Sequence, residues 1–143
     1  MPTVITTTGQ SDTTNNPTYQ YFTQTFAISG NLTMATKYVY PGNATEQSNE
    51  NIFYILPIAC TLVKSYGNMG TAPGGADTCI VTVREDGADT TNTFTITGAA
   101  VTGSDITHTA DFAAGGRVSV KEVSSAAVGK ELSVTLLFRY ALQ

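Results

Sequence analysis

Few residues in this 143-residue chain have the types and spacing that chemistry requires. The single histidine, His108, lies between Asp105 and Asp111, and serines are available. A Ser-His-Asp relay needs these groups to converge, with the nucleophile held on a strained elbow. No Gly-x-Ser-x-Gly elbow occurs. His108 also alternates with Ile106, Ala110 and Phe112, which predicts one strand face and a core or interface histidine. Two carboxylate pairs, Glu46 with Glu50 and Asp86 with Asp89, carry the residue type of a glycosidase. Each pair sits in a polar loop, where carboxylates are ordinarily solvated. Cys60, Cys79 and His108 fall short of the four ligands of a closed zinc site, and no Cys-x-x-Cys is present. EDGADTTN has too few carboxylates at calcium-loop spacing. Pro73-Gly74-Gly75 lacks the Lys-Ser/Thr that follows a phosphate cradle. The expectation is therefore no catalytic residue, no metal and no cofactor.

Composition narrows the remaining classes. Seven Lys+Arg stand against eleven Asp+Glu, for a net charge of −4, and only 13% of residues are charged. Such a chain has no basic footprint for nucleic acid. Its longest apolar run, Ile52 to Cys60, is broken by Pro57 and is far short of the ~20 residues of a membrane span. The opening MPTVITTTGQ has neither the cationic nor the apolar region of a signal peptide, so export is not expected. Cys60 and Cys79 are then expected as reduced, buried apolar residues, with a disulfide across the loop between their strands as the alternative. The glycosylation patterns at Asn31 and Asn43 carry little weight without a secretory route.

The elements that must position any site are strands. Thr is the commonest residue and Val, Ile, Tyr and Phe are frequent, all of which suit a pleated surface. Period two recurs along the chain and no helical period is sustained. Strands are predicted over Tyr19–Ser29, with Phe22, Phe26 and Ile28 on one side, and over Leu32–Tyr40, stopped by Pro41-Gly42. Ile52–Tyr66 is the most apolar stretch, divided by Pro57, and Gly67–Asp77 reads as a long loop. Cys79–Arg84 and Thr91–Thr97 flank an Asp86-Gly87 turn, with Phe94 and Ile96 inward. Further strands follow at Ile106–Phe112, Arg117–Val123 and Leu132–Leu142. The last alternates Leu132, Val134, Leu136, Phe138 and Tyr140 against a polar side that Leu137 interrupts. About eight strands without a helix predict an all-β, jelly-roll-like antiparallel β-sandwich over residues 19–143.

Residues 1–18 differ in kind. This segment holds one charge, Asp12, and too few apolar residues to fold alone. Two readings compete, a disordered leader and an extended arm that orders against a partner; the low charge favours the arm. Val4 and Ile5 could anchor such an arm.

From Cys79 onward the chain reads CIVTVREDGADTTNTFTIT, GSDITHTADFAAGGRVSVKEVSSA and ELSVTLLFRYAL. The Asp86-Gly87 turn, the Ser104–His108 stretch, the Gly115–Lys121 strand and the closing Leu132–Phe138 together resemble a small jelly-roll domain of tailed-bacteriophage virion proteins. That domain trimerises in the manner of C1q and tumour-necrosis-factor heads. The resemblance implies a structural or binding protein on the virion, assembled in the host cytoplasm, whose partners are copies of itself and the major capsid protein. It makes Val4, Ile5, Tyr19, Tyr21 and Phe22 candidate arm anchors and Leu137, Arg139 and Tyr140 candidates for the trimer contact, with ordinary sandwich core as the alternative for each aromatic. A capsid decoration (cement) protein is the expectation, because the chain carries no shaft-like heptads or repeats. A tail-fibre head that attaches to host-surface glycans, and a carbohydrate-binding module using some of the seven tyrosines, are the alternatives.

Overall fold

The computed structural model describes residues 18–126 and 129–142, apart from the side chains of residues 43 and 44. Among them are ten strands: β1 (Tyr19–Ile28), β2 (Ala35–Ala44), β3 (Tyr54–Ile55), β4 (Cys60–Thr71), β5 (Thr78–Glu85), β6 (Ala88–Thr97), β7 (Thr102–Asp105), β8 (Ala110–Phe112), β9 (Arg117–Ser124) and β10 (Lys130–Ala141). No helix occurs among these residues. The strands follow one path, β6-β5-β9-β2-β1-β10-β4-β7, with β3 added to β9 and β8 to β4. The path doubles over into two layers, nearly closing into a barrel. The first layer holds β1, β10, β4, β7 and β8; the second holds β6, β5, β9 and β3. β2 belongs to both. This is the all-β, jelly-roll-like class expected from the sequence.

Alternation decides what lies between the layers. β10 buries Leu132, Val134, Leu136 and Phe138 completely. β1 adds Phe26 and Ile28, and β4 adds Leu62 and Met69. The second layer answers with Val39, Val81, Val83, Phe94, Ile96, Val118 and Val120. Cys60 and Cys79 are both buried and unbonded to each other, as small apolar residues. The β5–β6 hairpin turns on Asp86 (φ 47°) and Gly87 (φ 87°), so both central residues are left-handed and the turn twists with its strands.

Three expected elements differ, each for a physical reason. The second strand does not stop at Pro41-Gly42. Ala35–Val39 pair with β9, whereas Gly42–Ala44 pair with β1, in parallel. Pro41 falls at the change of partner, where a missing N–H leaves no ladder bond unmade. The expected loop from Gly67 is instead strand as far as Thr71. Gly67 is a packing glycine: a methyl group there would lie 2.5 Å from the Phe94 ring, and one at Gly103 2.7 Å from it. The predicted strand over Ile106–Phe112 is broken. β7 ends at Asp105, β8 starts at Ala110, and Ile106 is exposed. The cause is the Asp105 side chain, described below.

Gly67→Ala should therefore lower stability by about 1–3 kcal/mol, because the added carbon meets an aromatic ring in a filled core. Urea denaturation checks this. Adding Phe94→Leu to Gly67→Ala should reduce the penalty of the glycine substitution measured in that background.

Candidate functional site

The histidine-carboxylate pair singled out in the sequence does form. His108 Nδ1 lies 2.8 Å from Asp105 Oδ2. Its surroundings give it a structural task. Asp105 is buried, whereas the His108 side chain is 59% exposed, so the histidine belongs to neither the core nor the face with Phe112. Asp105 Oδ1 accepts from the backbone N–H of Thr107 (3.0 Å) and His108 (3.1 Å) and from the Thr107 hydroxyl. Oδ2 accepts from Thr93 N–H at 3.0 Å as well as from the imidazole. A carboxylate that captures the N–H groups two and three residues on makes a turn, and this ends β7. Burial opposes its charge, but the N–H donors of His108, Thr107 and Thr93 outweigh burial and hold the carboxyl well below the usual range.

The Thr93 bond has a second consequence. β6 and β7 are the two ends of the strand path and share no ladder. Asp105 of β7 is bonded to Thr93 of β6. Beside it, the buried Asn92 donates to the His108 carbonyl at 2.8 Å and accepts from the buried Ser65 of β4. Side chains thus hold the seam that backbone pairing leaves open. No serine is hydrogen-bonded to His108 Nε2 among the described residues.

The paired carboxylates are also committed, and Asp89 stands on β6 opposite Arg84 rather than in a loop. Glu50 bonds Arg84 at 2.9 Å and Ser119; Asp89 bonds Arg84 and Lys121; Asp86 bonds Arg117 at 3.0 Å; Glu46 bonds Thr33. Neither pair faces an open cleft as two free carboxyl groups. The cysteines are unreactive in character: burial pushes the Cys60 thiol up to about 11, and burial with the Glu122 charge pushes Cys79 up to about 12. No group of three metal-ligating side chains occurs among the described residues.

One titratable group escaped sequence reading. Glu122 is fully buried on the inner face of β9, in line with Val118 and Val120. Its Oε2 accepts from Ser124 at 2.8 Å and faces the Cys79 thiol at 3.8 Å, while Oε1 has no partner. Burial pushes its carboxyl up to about 7, against the Ser124 bond and with the Glu46 charge adding to the rise. Period two placed Glu122 on the apolar face; its charge alone argued otherwise.

The interface candidates divide between two faces. Tyr19, Tyr21, Leu137 and Arg139 project from the outer face of the first layer, where Tyr21 stands opposite Arg139 and Thr23 opposite Leu137. Tyr21 is 57% exposed, and the Arg139 guanidinium lies over the Tyr19 ring at 4.9 Å. Phe22 and Tyr140 point the other way and lean on the core: Phe22 stacks on Phe138 at 5.1 Å, with Tyr140 6.2 Å from it. Val4 and Ile5 lie outside the described residues. Compared with protein families and with curated proteins, the chain matches none.

Two outcomes follow. Asp105→Ala leaves the Thr93, Thr107 and His108 N–H groups without their acceptor and should cost about 2–4 kcal/mol in urea, whereas Ile106→Ala, an exposed neighbour, should cost little. Glu122 keeps its proton in the folded protein between pH ~4.5 and ~7, where the unfolded chain has released it. The folded state binds more protons, so this group's contribution falls as pH rises through that window. The wild type should lose on the order of 3 kcal/mol relative to Glu122→Gln between pH 4 and pH 8. An unchanged difference between the two proteins would refute the assignment.

Proposed function

We propose that this chain is a capsid decoration (cement) protein of a tailed bacteriophage: a trimeric, non-catalytic knob that binds and stabilises the major capsid protein shell from outside. One observation carries the reading. Tyr19, Tyr21, Leu137 and Arg139 cluster on the outer face of β1 and β10, and the N-terminal segment joins the fold at the same corner, where Leu142 N–H bonds the Thr18 carbonyl at 2.8 Å. Tyrosine and arginine are the residue types that dominate contact energies. A self-association patch and the root of an arm at one corner suit a knob whose arms reach neighbouring subunits. Three arms on one trimer multiply weak contacts by avidity, and binding only the assembled shell raises its stability by mass action. The tail-fibre head is the second reading, because the same patch would serve its trimer. A gene beside the major capsid gene selects decoration, and one among tail genes selects the fibre.

Light scattering on the purified protein should give a trimer, and Tyr21→Asp with Leu137→Asp should give a folded monomer. Removal of residues 2–17 should leave the trimer and abolish binding to purified capsids. A monomeric wild type, or capsid binding undiminished without the segment, would remove the cement reading.

A further inference from the structure

A shallow groove of about 530 Å³ opens on the outer face of the first layer, at the end of β10 away from Arg139. Register makes it an ordered array. Thr135, Tyr66 and Ser104 stand side by side across β10, β4 and β7, and Ser133, Asn68 and Thr102 form the next row. Three strands span about 10 Å and the rows stand about 7 Å apart, the scale of one or two sugar rings. Gly67 and Gly103 pair between the rows and form the floor, which the Phe94 ring backs from inside. The groove is therefore a fixed surface on paired strands rather than on loops.

Its chemistry is uniform. One row centres on an aromatic ring that is 43% exposed and flanked by two hydroxyls; the other centres on a carboxamide flanked by two more. No acid or base lines it. The Thr135 hydroxyl is oriented by Thr25 at 3.2 Å. Among the described residues, Asn68, Thr102, Ser104 and Ser133 make no side-chain hydrogen bond to other protein groups, so their donors and acceptors face the groove uncommitted. A flat ring meets the C–H face of a pyranose, while amide and hydroxyl groups pair with ring hydroxyls. An anionic ligand would find no cation here.

We infer that this groove binds a neutral oligosaccharide, with Tyr66 as the stacking platform and Asn68 as the principal hydrogen-bonding group. The site does not depend on the trimer patch, so light scattering reports that reading separately. The experiment is calorimetric and NMR titration of the wild type with maltohexaose, cellohexaose, chitohexaose, xylohexaose and mannohexaose, and with heparin as the anionic probe. At least one neutral hexasaccharide should bind at millimolar concentration or below, and Tyr66→Ala should weaken it roughly tenfold or more. Asn68→Ala should weaken it less, and both variants should keep the wild-type melting temperature because the side chains are exposed. Failure of all five neutral sugars at millimolar concentration would overturn the proposal. So would binding that survives Tyr66→Ala, or a preference for heparin.

Discussion

The alternation of β10 is the constraint on which the rest of the molecule depends. The strand runs between β1 and β4, so both of its ladders are filled. Four large apolar side chains at every second position from Leu132 to Phe138 are wholly buried. Burying each contributes about 1.5–3 kcal/mol, and a one-residue slip would expose them all. That cost fixes the register, and the register sends Ser133, Thr135, Leu137 and Arg139 outward. Both surfaces discussed above, the tyrosine-arginine corner and the hydroxyl groove, are this outward set together with its cross-strand neighbours. Neither could move along the sheet without exposing the core.

A strand path with two ends leaves two edges, and edges invite pairing with other chains. Here the ends meet, and polar side chains hold them rather than a ladder. Asp105 and Asn92 do this from inside the protein, with every contact made. Glu122 is the opposite case, a buried carboxyl with one oxygen lacking a partner. The first is strongly stabilised as the anion and the second as the neutral acid. Two carboxyl groups in one small domain are thus driven apart by whether N–H donors surround them, not by burial, which opposes both charges.

Most strands were legible because burial obeys period two. Phe26 and Ile28, Phe94 and Ile96, and the β10 set face inward as the pattern requires. The Asp86-Gly87 turn was legible because its left-handed pair demands those residue types. What failed was local punctuation. Pro41-Gly42 and Gly67 read as stops, yet one marks a change of partner and the other a ring contact, and both facts belong to distant residues. Ile106–Phe112 had good alternation, but a carboxylate three residues before the histidine captured the backbone and ended the strand. The candidate site was legible only in part. Period two already separated Tyr19 and Tyr21 from Phe22, and Leu137 and Arg139 from Tyr140, but that the two outward pairs are neighbours follows only from the β1–β10 register. Tyr66 read as the last residue of an apolar strand stretch and Asn68 as part of a loop, so their shared outward face was hidden.

The two outer faces also differ in charge. The second layer concentrates its ions on itself: Arg84 lies between Glu50 and Asp89, Lys121 joins Asp89, and Arg117 holds Asp86. Such a surface keeps its water, because paired and hydrated charges are expensive to strip. The first layer presents Thr23, Thr25, Ser133, Thr135, Asn68, Thr102 and Ser104 with three tyrosines, and charge is sparse across that array. Uncharged hydroxyl and aromatic groups lose little on desolvation when a partner returns the hydrogen bonds. A chain with only 13% charged residues has placed a large share of its ion pairs on one side. The two outer faces thus differ in charge, although the second layer also exposes Ile55 and Ile80. β10 runs through the less charged face, which ties the buried alternation of a single strand to the make-up of that surface.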